Sequence, residues 1–428
     1  MRRRVLFAGI AFMAALMSGL VAQASAAGLS GAQPLDEVRF ATFNASLNRS
    51  TAGQLVEQLS HPEVDDVFRR QARNVAEVVQ RSRPDVLLIN EFDYAPAAVD
   101  LFRTNFLEVS QNGASPIRYP YAFVAPSNTG IPSGKDLNND GFVGGPNDAF
   151  GFGFFPGQYG PVVYSRFPIE VDEVRTFQRF LWRDMPGALL PDDPRTPAPA
   201  DWYSPDELAV FRLSSKSHWD VPITIGRKTV HFLVSHPTPP VFDDPPQYPA
   251  GVDFNGRRNH DEIRFWADYI SPGRAGYVYD DAGDRGGLKP GELFVIAGDQ
   301  NADPLDGDSV PGAVDQLLEH PLVNSKVTPE SDGAEEASLL QGGANTTHRG
   351  NPRFDTADFS DVTPGNLRVD YVLPRKTLQI GAAGVFWPLR DDPLFRLTGV
   401  FDRAWIAVGG FPTSDHRLTW VDVTVPAG

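Results

Sequence analysis

The chain has 428 residues, of which 41% are hydrophobic and 11% aromatic, so it can build a sizeable buried core and is not disordered as a whole. Its 54 acidic and 38 basic side chains give a formal charge of −16, which argues against tight, charge-driven binding of nucleic acid. Because the sequence has no cysteine, it excludes disulfides, thiolate metal sites and a cysteine nucleophile.

The first 26 residues have the organisation of a secretory signal peptide. Three arginines at positions 2–4 precede an apolar run over 5–21, and small residues surround Ala26. The run is short for a transmembrane helix of roughly 20 residues. We therefore expect cleavage near Ala26 and a secreted or periplasmic protein. Removal of three Arg and no acidic residue would change the formal charge from −16 to −19.

Short apolar runs bounded by turn residues predict seven buried strands. In chain order these runs cover residues 38–43, 86–89, 162–164, 230–235, 293–297, 369–373 and 418–425. Strands that alternate with a few helices and with long irregular stretches favour an α+β or α/β protein in which two sheets pack together.

The residues between the first two strands predict a helix. Phe68, Ala72, Val75 and Val79 follow one another at spacings of four, three and four, which places them on one apolar stripe. Pro84 ends this pattern.

Two further helices are predicted later in the chain. The first of them begins at Asn259, with Glu262 in the capping-box position and with Ile263 and Trp266 on its buried face. The other covers about residues 314–319.

Several long segments are rich in Gly, Pro and Asp and predict irregular structure. They cover residues 126–160, 187–210, 237–258 and 272–291. Loops of this length within a domain are usually functional. Since no low-complexity linker divides the chain, we expect residues 27–428 to form one domain with long loop insertions at about 126–160 and 237–291.

Polar side chains lie at the ends of the predicted strands. In chain order they are Asn44, Asn90-Glu91, Ser165-Arg166, Ser235-His236, Gly298-Asp299-Gln300-Asn301, Asp370 and Ser414-Asp415-His416. Polar groups at the ends of adjacent strands converge at one rim of a sheet, so we expect a functional site there.

The order and content of these motifs resemble the endonuclease/exonuclease/phosphatase superfamily, which includes DNase I, repair nucleases, inositol polyphosphate 5-phosphatases and bacterial sphingomyelinases. The resemblance spans residues 38–425. It implies an α+β fold of the DNase I-like kind, a four-layer α/β/β/α sandwich of two packed mixed sheets.

The resemblance also implies a role for each matching residue. The residues that it implies for metal binding are Asn44, Glu91 and Asp415. Those that it implies for catalysis are Asp299, Asn301, Asp370, His236 and His416, with Asp370 orienting His416.

Elementary phosphate chemistry agrees with these roles. Hydrolysis of a phosphate ester needs an activated water, neutralisation of the phosphoryl oxygens and protonation of the leaving oxygen. Glu91 and Asn44 offer the oxygen ligands that Mg²⁺ or Mn²⁺ takes. His416 is a candidate general base or, alternatively, a protonated group that stabilises phosphoryl oxygens. Asp299 and Asn301 are candidates for aligning the water and a phosphoryl oxygen.

The remaining candidates have weaker support. His236 is expected to donate to the leaving group or the phosphate. Arg166, Lys216 and His218 are weak candidates for phosphate contacts, and for the last two an ordinary loop is the favoured interpretation. Asp and Asn at strand ends also occur simply because they begin turns.

Residues 136–147 resemble half of a calcium-binding loop. Asp136, Asn138 and Asp140 occupy ligand positions 1, 3 and 5, and the carbonyl of Phe142 would be the ligand at position 7. Position 12 is Asn147 in place of Glu, and Gly and Pro surround the segment where helices would be needed. The segment is either a loop that binds a structural Ca²⁺ or a plain turn rich in Asp and Asn.

The leading functional hypothesis is an exported, divalent-metal-dependent phosphoesterase that cleaves phosphodiester bonds in the manner of a nuclease. A phosphomonoesterase that acts on small organic phosphates is the alternative within the same chemistry. A non-catalytic calcium-binding surface module is the alternative from another class, and the intact set of acid, amide and histidine residues disfavours it. We expect a phosphate ester substrate, either nucleic acid or a small organic phosphate, and neither a stable membrane anchor nor an obligate protein partner.

Overall fold

Two mixed β-sheets form the centre of the protein in its computed structural model, which describes residues 36–426. The predicted signal peptide at residues 1–26 lies outside the described residues. The strands are β1 (Asp36–Leu47), β2 (Val86–Phe92), β3 (Tyr121–Phe123), β4 (Val162–Ser165), β5 (Arg175–Thr176), β6 (Trp219–Ile225), β7 (Lys228–Val234), β8 (Leu293–Asp299), β9 (Asp370–Pro374), β10 (Gln379–Val385) and β11 (Thr419–Val425). One sheet has the order β10-β11-β1-β2-β4-β3, and the other has the order β5-β6-β7-β8-β9.

All seven predicted strands are present, whereas four strands were not predicted. β3 and β5 have only three and two residues, too few to show an apolar pattern. β6 contains Pro222, and proline argues against a strand inside a sheet. β10 contains Gly381 and Gly384 and lies at a sheet edge, where a buried apolar run is not needed.

Most of the helices pack on the outer faces of the two sheets. They are α1 (Gln54–Ser60), α2 (Val67–Ser82), α3 (Pro96–Phe102), α4 (Pro205–Leu208), α5 (Phe254–Tyr269), α6 (Asp315–Leu318), α7 (Asp332–Gln341) and α8 (Phe395–Thr398). None of the described helices is long and apolar enough to cross a membrane.

The apolar stripe of α2 is confirmed. Asp66 caps the helix by accepting the N–H of Arg69 at 2.9 Å, and Val75 and Val79 are buried. Arg83 then adopts a left-handed conformation with φ 56°, directly before Pro84.

The predicted start of α5 is wrong, because the helix begins at Phe254 and Asn259 lies within its second turn. Glu262 is therefore not a capping residue. Its carboxylate instead accepts the backbone N–H groups of Ser215 and Thr238. The predicted helix around 314–319 is confirmed as α6.

Three apolar layers hold the sandwich together. Alternation along β1 directs Phe40 between the two sheets and Phe43 towards the helices outside. Between the sheets, the rings of Phe40 and Phe232 lie 5.6 Å apart. A second apolar cluster joins the first sheet to α2, and a third joins the second sheet to α5. The order is therefore helix, sheet, sheet, helix, as the resemblance implied.

Phe40→Ala should destabilise the protein by about 3–5 kcal/mol, because it leaves a cavity between the two sheets where the Phe40 side chain is 0% exposed. Urea unfolding followed by circular dichroism measures this loss. Phe142→Ala, at a position that is 76% exposed, is the matched control and should change stability by less than about 0.5 kcal/mol. Equal effects of the two substitutions would contradict the assignment of this inter-sheet core.

Candidate active site

Strand direction brings most of the predicted polar motifs to one edge of the sandwich. β1 and β2 are parallel, with Asn44 beside Asn90, and β7 and β8 are parallel as well. β11 runs antiparallel to β1, so the start of β11 lies at the edge where β1 ends. β9 likewise runs antiparallel to β8, and its first residue, Asp370, pairs with Asp299.

Asp299 is the central side chain of this edge. Its carboxylate is 1% exposed, and Oδ2 accepts a hydrogen bond from Asn44 Nδ2 at 3.1 Å. The same oxygen lies 3.3 Å from His236 Nε2 and 3.7 Å from His416 Nε2. Oδ1 accepts the backbone N–H of Asn301 at 2.8 Å. One carboxylate therefore joins residues that come from both sheets.

A glycine allows Asp299 to reach this place. A Cβ atom at Gly298 would lie 2.0 Å from the carbonyl oxygen of Ser235, so only glycine fits where β8 passes the end of β7. The Gly-Asp pair is thus needed for packing as well as for chemistry.

His416 is oriented by Asp370, as the resemblance implied. Its Nδ1 donates to Asp370 Oδ2 at 2.9 Å, and Thr356 Oγ1 donates to the same oxygen at 2.9 Å. Burial lowers the pKa of His416, but the charges of Asp370 and Asp299 outweigh burial and raise it to about 10. Burial raises the pKa of Asp370 to about 6. His416 is therefore an imidazolium at neutral pH in this arrangement.

The charged His416 in turn acts on Asp299. Burial opposes ionisation of Asp299, yet the positive charge of His416 and the hydrogen bond from His236 hold the pKa of Asp299 below its ordinary value. Asp299 is thus an anion at the centre of the site.

Glu91 is the last but one residue of β2, where it has a left-handed conformation with φ 58°, and its carboxylate accepts a hydrogen bond from Asn44 Nδ2 at 3.2 Å. Burial, and next the negative charge of Asp415, raise the pKa of Glu91 to about 7. The half-buried Glu91 lies near the second carboxylate of Asp415, and Asn44, whose Nδ2 contacts Glu91, carries an amide oxygen on the same side chain. Asn44, Glu91 and Asp415 therefore fit a hard divalent ion.

A more compact acidic group lies beside this set. Within residues 36–426, one group of three acid or histidine side chains has all its ligand atoms within 4.8 Å of one another, and it consists of Asp299, Asp370 and His416. The 2.9 Å hydrogen bond between Asp370 and His416 accounts for part of this closeness. The metal position at Glu91 consequently stays a prediction. Asp299 lies next to this position, since Asn44 Nδ2 contacts both Glu91 and Asp299.

His236 and Lys216 face the same centre. Burial, and next the charge of Lys216, lower the pKa of His236 to about 4, so His236 is neutral and its Nε2 faces Asp299. Lys216 is buried and donates from Nζ to the carbonyl of Pro237 at 3.3 Å. Asn301 donates to the same carbonyl at 3.1 Å.

A sequence model of the endonuclease/exonuclease/phosphatase family matches residues 41–416, a range that contains the whole site. The chain belongs to this family. Members of the family are phosphoester hydrolases. No curated protein sequence matches the chain.

Several solved structures are similar to the chain. An endonuclease/exonuclease/phosphatase from Beutenbergia cavernae is 16% identical over 91% of this chain and 72% of its own, with a TM-score of 0.46. A family protein from Leptotrichia buccalis is 13% identical over 90% of this chain and 99% of its own, with a TM-score of 0.43. Sphingomyelinase C from Streptomyces griseocarneus is 13% identical over 90% of this chain and 99% of its own, with a TM-score of 0.39.

Two of the predicted phosphate contacts lie elsewhere. β4 runs antiparallel to β2, and Ser165 pairs with Val86 at the start of β2. Arg166 is therefore at the opposite edge of the sheet, where it forms an ion pair with Asp85 at 2.6 Å. The prediction for Arg166 is wrong, because the end of an antiparallel strand does not meet the ends of its neighbours.

The prediction for His218 is also wrong. Its Nδ1 lies 2.5 Å from Ser214 Oγ, and its Nε2 lies 2.8 Å from the carbonyl of Glu262. The ring packs against Phe265 and Trp266 at centroid distances of 4.9 and 5.1 Å. Both ring nitrogens have partners in the core, so His218 cannot contact a phosphate.

The predicted calcium loop holds itself together by hydrogen bonds. Asp136 accepts the N–H of Asp140, Asp140 accepts that of Phe142, and Asp148 accepts that of Leu137. These contacts belong to turns rich in Asp and Asn, which was the alternative interpretation. Calcium binding by this loop stays a prediction.

Two residues of the site had no predicted role. Asn90 Oδ1 lies 3.4 Å from the backbone nitrogen of Asp299 and so links the two sheets behind Glu91. Its position directly before Glu91 was a usable signal. Thr356, which supports Asp370, lies in an irregular segment without any strand pattern, so the sequence offered no comparable signal.

The pKa of His416 should depend on Asp370. In the metal-free protein, the NMR resonance of the His416 ring should show a protonated ring up to pH 8 and titrate near 10. Asp370→Asn removes the adjacent negative charge and should lower this pKa by about one to three units. His218, which Asp370 does not contact, is the control and should keep its pKa of about 4. An unchanged His416 titration in the variant would contradict the pairing.

Proposed function

We propose that the protein is an exported, divalent-metal-dependent phosphodiesterase that hydrolyses its substrate by attack of water. The observation that carries this proposal is the buried Asp299 carboxylate, with Asn44, His236 and His416 around it and with Glu91 on the far side of Asn44. Export rests on the predicted signal peptide at residues 1–26.

The site offers a place for a cation and a place for the phosphoryl group. Asn44, Glu91 and Asp415 would hold Mg²⁺ or Mn²⁺, which when bound neutralises charge on the phosphoryl and leaving oxygens. Asp299 is anionic and held by three side chains, so it can orient the attacking water towards phosphorus. Asn301 lies beside it to align a phosphoryl oxygen.

The two histidines differ in protonation and therefore in role. His416 is paired with Asp370, whose charge favours the protonated ring, so in this proposal His416 donates to the phosphoryl oxygens. His236 is neutral and has its Nε2 directed to the centre, where it donates to the phosphate or the leaving group. Lys216 adds a positive charge behind them.

The balance of charges favours a diester over a monoester. The site contains four carboxylates and two cationic groups. The carboxylates are those of Glu91, Asp299, Asp370 and Asp415, and the cationic groups are the ammonium of Lys216 and the imidazolium of His416. A diester carries one negative charge, whereas a phosphomonoester carries between one and two at neutral pH. The formal charge of −16 bears on a different choice, because it disfavours substrates with many phosphates and so favours a small diester over a long nucleic acid.

The protein should hydrolyse bis-p-nitrophenyl phosphate in the presence of Mg²⁺ or Mn²⁺, and EDTA should abolish this turnover because the carboxylates then lack their cation. The same assay with p-nitrophenyl phosphate should proceed at least about tenfold more slowly, for the charge reason given above. Plasmid DNA, followed by gel electrophoresis, tests nucleic acid as the diester. Absence of turnover with every metal would contradict the enzyme proposal, and faster monoester cleavage would favour a phosphomonoesterase.

Glu91→Ala and His416→Ala should each lower kcat by about 10²–10⁴, since one removes a metal ligand and the other a charged donor to the phosphoryl group. Steady-state kinetics measures the loss, and thermal unfolding shows whether each variant is folded. His61→Ala is the control for removal of an imidazole, because the His61 ring is exposed and its Nδ1 pairs with Glu63. Rates near that of the wild type in both site variants would refute the site assignment.

A further inference from the structure

The first half of α5 carries polar side chains on a face that is completely buried. Arg258, Asn259 and Glu262 are all buried, and their spacing places them on one side of the helix. This side faces the segments that follow β7 and β8 and the segment that precedes β6. Those segments carry His236, Asn301 and Lys216, and the one with Asn301 follows directly on Asp299, the last residue of β8.

Glu262 holds two of these segments with one carboxylate. Its Oε1 accepts the backbone N–H of Ser215 at 2.6 Å and the hydroxyl of Ser215 at 3.0 Å. Its Oε2 accepts the backbone N–H of Thr238 at 2.7 Å. Each oxygen is thus dedicated to a different segment of the chain.

One of the two segments carries Lys216 and the other carries His236. Lys216 follows Ser215 directly, and His236 precedes Thr238 by two residues. The segments also contact each other, since Lys216 Nζ donates to the carbonyl of Pro237 at 3.3 Å. Because the Glu262 carboxylate contacts the backbone of both segments, it controls the distance between Lys216 and His236.

Asn259 extends the same arrangement to the third segment. Its Nδ2 donates to the carbonyl of Thr238 at 2.8 Å and to that of Gln300 at 2.9 Å. Gln300 lies between Asp299 and Asn301. The helix consequently contacts the backbone of all three segments.

A carboxylate at such a position is costly unless its partners compensate it. Removing a charge from water is unfavourable, and it is tolerated only with good hydrogen bonds and nearby opposite charge. Glu262 receives three hydrogen bonds, and Lys216 and Arg258 supply the positive charge nearby. All three hydrogen bonds come from the two active-site segments, so they order backbone that carries functional side chains.

We propose that Glu262 is a positioning residue, which acts by fixing Lys216 and His236 in the geometry that the phosphoryl group requires. This inference rests on the proposed phosphodiesterase activity. It does not make Glu262 a catalytic residue, because its carboxylate contacts the backbone behind the site and not the reacting atoms.

The test uses the full-length metal-loaded protein with Glu262→Gln and Glu262→Ala. A glutamine keeps the shape but only one acceptor oxygen, and its amide group cannot accept an N–H. Amide hydrogen exchange should therefore rise by at least about tenfold at either residues 214–218 or residues 235–239 in Glu262→Gln, and at both in Glu262→Ala. Asp261→Asn is the matched control, because Asp261 is equally buried on the same helix but holds Trp182 and Leu189.

Kinetics separates positioning from a general loss of stability. With bis-p-nitrophenyl phosphate, Glu262→Gln should lower kcat by about 10–100-fold with KM within threefold, while Asp261→Asn should leave kcat within twofold. Because Glu262 acts through His236 and Lys216, Glu262→Gln should cost less than threefold in kcat when it is added to a His236→Ala/Lys216→Ala variant.

Two results would overturn the proposal. In the first, amide hydrogen exchange at both segments is no faster in Glu262→Gln and Glu262→Ala than in the control Asp261→Asn. In the second, Glu262→Gln lowers kcat by the same factor in the wild type and in the His236→Ala/Lys216→Ala variant. If the wild type shows no turnover, the proposed function fails, and the exchange measurements alone then decide whether Glu262 fixes the two segments.

Discussion

The buried carboxylate of Asp299 is the interaction on which the rest of the site depends. A charge without solvent is unfavourable unless hydrogen bonds and opposite charge surround it. Asn44 from the first sheet, His236 from the second sheet and His416 from the segment before β11 provide this environment. The Asp299 carboxylate obtains these partners only when the two sheets are correctly packed. The same contacts therefore complete both the fold and the site.

The charged groups around Asp299 form two regions, one that suits an anionic ligand and one that suits a cation. On one side, Asp370 and Asp299 keep a proton on His416, which gives a donor for anionic oxygen. On the other side, Glu91 lies near Asp415, and burial together with the negative charge of Asp415 raises the pKa of Glu91. A phosphate ester suits the first region and a divalent cation suits the second. The helix α5 adds a third element, because its buried polar face holds the segments that carry the donors.

Much of the site could be predicted from the sequence, because its residues are short motifs at the ends of apolar runs. Glu91, Asp299 and His416 were found in this way, and the resemblance supplied the pairing of His416 with Asp370. The failures have physical causes. Arg166 follows a strand that runs antiparallel to its neighbour, and the sequence does not show strand direction. His218 is a polar residue in a polar segment, yet the fold places it among the aromatic side chains of the core.

The sequence by itself determined the seven main strands, the polar residues at their ends and the family to which the chain belongs, because apolar periodicity and short motifs are local properties. The tertiary structure alone decided which polar residues meet. Asn44 and Asp299 are separated by more than half of the chain but form one hydrogen bond. Glu262, which the sequence placed in a capping box, is directed inward to two active-site segments. Strand order, strand direction and the helix face that packs inward are set by the closing of the whole core. No local stretch of sequence contains that information.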